Sequence, residues 1–182
     1  MQMQEQEPFK LEVVSIRLVK DVPLFSDHKI TNPADAVKVL GDFLCEMDRE
    51  VMCVINLRSD GTPINCNIVS MGSINQTIAE PKELFKASIL SNAAGMIIVH
   101  NHPSGDLKPS KEDIMVTDRM LKLTELMGIR LTDHVIVGGD NSQYFSFCEN
   151  ELLQYPKIFL STDCNALEFG KTAMVAEKEK AR

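Results

Sequence analysis

The sequence predicts one α/β (α+β) domain built on a mixed β-sheet flanked by helices. Strand-length apolar runs alternate with segments of helical period, the pattern of packed sheet and helix layers. The 182-residue chain is 44% hydrophobic and 25% charged, which describes a globular domain large enough to enclose a core. Aromatics make up only 5%, Trp is absent and Met numbers 10, so that core is expected to be mainly aliphatic.

The elements follow in order. Residues 1–10 are polar and Gln/Glu-rich and are expected to be loose, while Leu11 to Val19 alternates as a strand does. Asn32-Pro33 opens a helix, with Asn as N-cap and Pro at the first helical position. Apolar residues at 36, 37, 39, 40, 43, 44 and 47 carry it on with helical period. Val51 to Leu57 is nearly all apolar and reads as a strand buried on both faces. Arg58-Ser59-Asp60-Gly61 is a hairpin turn and Ile64 to Met71 the returning strand. Glu80-Pro81 opens a second helix running to about Asn92, and Met96 to Val99 is a short buried strand. The Pro-, Gly- and Ser-rich stretch from His100 to Pro109 reads as a loop. Ser110 then caps a third helix that ends near Gly128. Ile129 to Val137 is a strand, Gly138 to Asn141 a turn and Gln143 to Phe147 a last strand. The ending KTAMVAEKEKAR reads as a helical or frayed charged tail, and no segment repeats.

Composition excludes several classes. No apolar run approaches the roughly 18 residues a membrane helix needs, and the opening MQMQEQEPFK has neither the basic start nor the apolar stretch of a secretory signal. The five Cys are scattered and never closer than eight residues. A disulfide framework or a Cys-based metal site is therefore not expected, and the reading is a protein of the reducing cytoplasm. The net charge of −7 argues against strong autonomous nucleic-acid binding, which draws most of its affinity from basic contacts to phosphate.

The chemistry is concentrated in IIVHNHPSGDLKPSKED. His100 and His102, two residues apart at the end of a strand, project to one side and can converge on one point. Asp113 follows in the first turn of the next helix. Three N/O ligands with an open fourth position suit a catalytic zinc, one per chain, whose bound water becomes available at neutral pH. A carboxylate outside the ligand set must then carry the proton. Ser110 could aim its hydroxyl at the oxyanion that develops on a substrate carbonyl. Each feature also has a plainer account. A His pair on a strand is often structural. Ser110-Lys-Glu-Asp113 fits a capping box without any metal, and Gly105 fits a tight loop that needs only a positive φ.

The combination His100-x-His102, seven residues, then Ser110-x-x-Asp113 resembles the zinc motif of the JAMM (MPN+, JAB) metalloprotease superfamily. The wording is closer still to its RadC-like branch. HNHPSG, Thr117, LTDHVIVGG, YFSF and the approach SMGSINQTIAEPKELFKASILSNAAGMIIVHNH are all similar to that family. The likeness covers about residues 30–150, leaving 1–29 as an N-terminal segment and 151–182 as a tail. It implies a JAB/MPN-like, cytidine-deaminase-like architecture and a catalytic Glu just before the first central strand. Glu50, opening EVMCVINL, occupies that position; Glu46 and Asp48 are the lesser candidates. His134 in LTDHVIVG falls in a strand away from the ligand motif and is expected to be a hydrogen-bonded support, not a fourth ligand. His28 is expected to be ordinary surface. RadC-like proteins usually carry a helix-hairpin-helix segment ahead of this domain. The thirty residues here lack it, so the DNA-repair association does not transfer with the resemblance.

The expectation is a zinc metallopeptidase- or isopeptidase-like hydrolase. Zinc would sit on His100, His102 and Asp113, Glu50 would be general base and Ser110 an oxyanion donor. The substrate would be a peptide or protein, with no membrane partner, and a homo-oligomer is compatible with the reading. The competing classes are a DNA-repair-associated or interaction module with a structural metal site, and a zinc nuclease. A zinc deaminase is disfavoured, since its Pro-Cys-x-x-Cys is missing.

Overall fold

In the computed structural model, which describes residues 15, 17–20, 24–72 and 79–158, a five-stranded sheet separates two helical layers. The elements are α1 (Pro33–Cys45), β1 (Val51–Leu57), β2 (Pro63–Met71), α2 (Pro81–Leu90), β3 (Gly95–His102), α3 (Lys111–Met127), β4 (Arg130–Gly138) and β5 (Tyr144–Ser146). The strand order is β2-β1-β3-β4-β5. Only the β3–β4 pair is parallel, because α3 provides the crossover that parallel neighbours require. The sheet is thus mixed and flanked by helices, as the alternation of periods predicts.

Each boundary has a local cause. Asn32 caps α1 by accepting the Asp35 N–H at 3.0 Å, and Pro33 opens the helix. Pro81 opens α2 in the same way. Helix α3 starts on a complete capping box and ends where Gly128 turns left-handed, at φ +66°.

Alternation along the strands sorts the core into two halves. Val51, Cys53, Ile55 and Leu57 of β1 pack with Ile97 and Val99 of β3 against Ala36, Val37, Leu40 and Leu44 of α1. Met52 and Val54, with Met96 and Ile98, pack on the other face against Leu84 and Phe85 of α2 and Met120 and Leu121 of α3. Burying each Val, Leu, Ile, Met or Phe among them contributes about 1.5–3 kcal/mol, so the central strands are held from both sides.

Two sequence expectations change. Strand β3 runs on through His102 instead of stopping at Val99, because β4 continues to pair with it as far as His102↔Gly138. The strand read over Leu11 to Val19 lies mostly outside the described residues; Ser15 and residues 17–20 belong to neither helix nor strand. The C-terminal tail from residue 159 also lies outside them.

Candidate metal centre

The period of β3 determines where its two histidines point. Met52 pairs with His100, and antiparallel partners share a face, so His100 and His102 project toward α3 with Met52 and Val54. Asp113, in the first turn of α3, projects back toward them. The Nε2 atoms of the two histidines lie 3.1 Å apart. Asp113 Oδ1 is 3.1 Å from His100 Nε2, and Oδ2 is 3.4 Å from His102 Nε2. These three side chains form a group that could hold a metal ion. His100 and Asp113 are buried, while His102 is partly open to solvent.

The loop from His102 to Ser110 closes this corner. His102 Nδ1 lies 2.6 Å from the Asp106 carbonyl, which can only accept, so Nδ1 carries a proton and, in the neutral ring, Nε2 is left bare toward Asp113. Gly105 reverses the chain at φ +78°, its N–H bonded to the His102 carbonyl at 2.9 Å. Gly138, at the end of β4, lies so close to this turn that a Cβ would come within 2.9 Å of the Gly105 carbonyl oxygen.

Asp113 reconciles the cap with the cluster. Its Oδ2 accepts the Ser110 N–H at 2.7 Å and the Ser110 hydroxyl at 2.6 Å, while the Ser110 oxygen accepts the Asp113 N–H at 3.1 Å. Oδ2 therefore serves the helix start while also lying near His102, and Oδ1 faces His100. Burial opposes charge on Asp113, yet His100 and His102, which in their protonated forms donate Nε2–H to it, hold its carboxyl far below the usual carboxylate range. The same contact with Asp113 raises the pKa of His102 against the effect of burial. The Ser110 hydroxyl hydrogen is committed to Asp113, so it does not point to an open position here.

Glu50 lies near the cluster. It immediately precedes β1, close enough to feel the charges of His100, His102 and Asp113. It is half-buried, and burial raises its pKa, opposed by the charges of His100 and His102. The other candidates lie elsewhere. Asp48 pairs with Arg49 at the surface, and Glu46 is the C-cap residue of α1.

Asn101, which sequence reasoning passed over, ties this end of β1 in place. Its Oδ1 accepts the Val51 N–H at 2.7 Å and its Nδ2 donates to the Arg49 carbonyl at 3.0 Å. The carboxamide thus takes over where the β1–β3 ladder ends and brackets Glu50 on both sides. The available signal was a polar residue inside an otherwise apolar strand, where a buried amide needs partners.

His134 is not distant from the motif as the sequence suggested. Strand β4 is the parallel neighbour of β3, and His134 Nε2 lies 3.0 Å from His100 Nδ1. Its ring is wholly buried, stacked on Phe147 with centroids 4.9 Å apart, and burial drives its pKa well below the ordinary value. His28 is half-exposed and bonds Asp35 at 3.2 Å, so it supports the start of α1.

A mixed sheet between helical layers, with a His-x-His and an acidic helix start converging at one strand end, defines a JAB-type domain. The model of the RadC-like JAB domain matches residues 30–152, and the chain belongs to this family. Its relatives include UPF0758 proteins of Clostridium beijerinckii (39% identical, covering 70% of this chain and 55% of the relative) and Clostridium acetobutylicum (40%, 71% and 56%). That of Moorella thermoacetica is 40% identical, over 68% of this chain and 53% of its own. The chain spans about half the length of the curated relatives it matches. The family fits a superfamily of metal-dependent hydrolases. Among the described residues, no helix is long and apolar enough to cross a membrane.

Proposed function

We propose that this chain is a zinc-dependent hydrolase of amide-type bonds, a metallopeptidase or isopeptidase acting on a peptide or protein. The observation that carries this is the spacing of the donors. Around a zinc ion bonded at about 2.0–2.1 Å, tetrahedral ligands stand about 3.3 Å apart. His100 and His102 Nε2 are 3.1 Å apart, and the Asp113 carboxylate brings Oδ1 to 3.1 Å of the first and Oδ2 to 3.4 Å of the second; one donor atom from each residue lies within 4.8 Å of the others. Two imidazoles and one carboxylate also suit zinc better than calcium or magnesium. When bound, zinc supplies a Lewis acid that brings the pKa of water to about 7 and polarises a carbonyl.

The remaining work falls to the protein. Glu50 takes a proton from the attacking water and returns it to the leaving nitrogen. Its half-buried setting, which raises its basicity, favours that role. Asn101 brackets its backbone. Ser110 holds Asp113 in place and would donate to the developing oxyanion once its hydrogen is released from Asp113 Oδ2.

The test is zinc content together with hydrolysis of peptide and isopeptide-linked libraries by wild type and Glu50→Gln. About one zinc per chain is expected in both proteins, with cleavage in the variant reduced about 10²- to 10⁴-fold. Less than a tenth of an equivalent of zinc after zinc-supplemented expression, or undiminished cleavage by Glu50→Gln, would overturn the proposal.

A further inference from the structure

A chain of hydrogen bonds runs behind the candidate metal centre, and its direction can be read. Thr117, one turn beyond Asp113 on α3, places its Oγ1 2.7 Å from the Asp113 carbonyl oxygen. A carbonyl only accepts, so the single hydroxyl hydrogen of Thr117 is used there. The same Oγ1 lies 2.7 Å from His134 Nδ1. Having no second hydrogen, Thr117 must accept in this contact, and the proton therefore resides on His134 Nδ1. The reverse arrangement would set the hydroxyl lone pairs against the Asp113 carbonyl at 2.7 Å.

The assignment propagates. His134 has no exposure, and among the described residues its ring bonds no carboxylate, so it is neutral and its Nε2 is an acceptor. His100 Nδ1, 3.0 Å away, must then be the donor. With its Nδ1 proton held by His134, the neutral His100 ring keeps Nε2 bare on the side that faces His102 and Asp113. The parallel stacking of His134 on Phe147, with an interplanar angle of 8°, keeps the ring plane from turning.

We infer that Thr117 and His134 are positioning residues that fix the proton of His100 on Nδ1 and so present its Nε2 to the metal. Their value for metal binding rests on the zinc reading above, whereas the proton assignment does not. His102 receives the equivalent service from the Asp106 carbonyl, a partner supplied by the loop. The two ligands are therefore preset independently, one by a buried relay and one by backbone.

Two measurements on the full chain test this. In the metal-free protein at about pH 9, where imidazoles are neutral, nitrogen–proton correlation spectra of the histidine rings should show the Nδ1–H tautomer for both His134 and His100. Zinc affinity, measured by chelator competition, should then fall about 10- to 100-fold in Thr117→Val, as loss of an outer partner of a metal-bound His typically costs. The substitution preserves shape and removes the acceptor for His134 Nδ1–H. Thr117→Ser restores the hydroxyl and should recover wild-type affinity, which a purely packing role for the side chain would not produce. An Nε2–H tautomer at His100 or His134 in the metal-free wild type overturns the relay. So does an affinity in Thr117→Val within twofold of wild type, or a Thr117→Ser as weak as Thr117→Val. Expected tautomers in a wild type that binds no zinc would support the relay and overturn the zinc reading, so the two failures are distinguishable. Should Thr117→Val not fold, the wild-type spectra still decide the relay.

Discussion

Replacing Asp113 with Ala removes two functions at once, and their magnitudes separate. The first is the capping box, in which Oδ2 accepts from the backbone and hydroxyl of Ser110 at 2.7 and 2.6 Å. Its loss should cost about 0.5–2 kcal/mol whether or not zinc is present. The second is Oδ1, 3.1 Å from His100 Nε2. A metal that binds only the folded state stabilises by about 4.1 kcal/mol at a free concentration of 1,000 Kd. If the substitution weakens binding about a hundredfold, the same concentration is only tenfold above Kd, and about 2.7 kcal/mol of that stabilisation disappears. The zinc-loaded protein should thus lose about 3–5 kcal/mol and the chelator-stripped protein about 0.5–2 kcal/mol. Asp113→Asn retains an acceptor for the cap and should leave the stripped form nearly unchanged while still losing the zinc-dependent part. Denaturant titrations of the three proteins, each with zinc and with chelator, supply every value. Equal losses in both conditions for Asp113→Ala would mean that Asp113 is only a cap, and the three-ligand reasoning would fail.

Other expectations are as direct. His100→Ala and His102→Ala should each abolish stoichiometric zinc uptake, read by elemental analysis of zinc-supplemented preparations. The pKa of His102 is raised by Asp113, so its proton stabilises the metal-free fold fully below the unfolded value of about 6.5, and that stabilisation is lost as pH rises through the higher folded value. The stability difference between metal-free wild type and His102→Gln should accordingly shrink as pH rises above about 6.5 in chelator-treated denaturant titrations. With its net charge of −7, the chain should bind generic duplex DNA no more tightly than about 10⁻⁶ M near physiological salt. A sub-micromolar dissociation constant in fluorescence anisotropy would contradict that expectation.

Much of the fold was legible because its determinants are local. Asn32-Pro33, Glu80-Pro81 and Ser110-x-x-Asp113 announce three helix starts through capping and the fixed φ of proline. The nearly unbroken apolar run of Val51–Leu57 announces a strand covered on both faces, and every one of its residues is buried. The convergence of His100 and His102 follows from the two-residue period of a strand, and the spacing to Asp113 gave the third member of the cluster. The chain's own residues and their order settled this much.

Tertiary structure decided what depends on neighbouring strands. Strand β3 extends to His102 because β4 pairs with it there, a long-range contact invisible to local periodicity. His134, 34 positions from His100 in sequence, reaches it because parallel pairing sets Ile98 beside His134 and brings the imidazole nitrogens within 3.0 Å. Asn101 brackets Glu50 only where the β1–β3 ladder stops and a side chain must satisfy the freed backbone groups. Whether Asp113 caps its helix or faces the histidines could not be chosen from spacing, since both readings need the same residue. The packing of α3 against β3 lets the carboxylate do both, with Oδ2 serving the cap while also lying 3.4 Å from His102 Nε2 and Oδ1 facing His100.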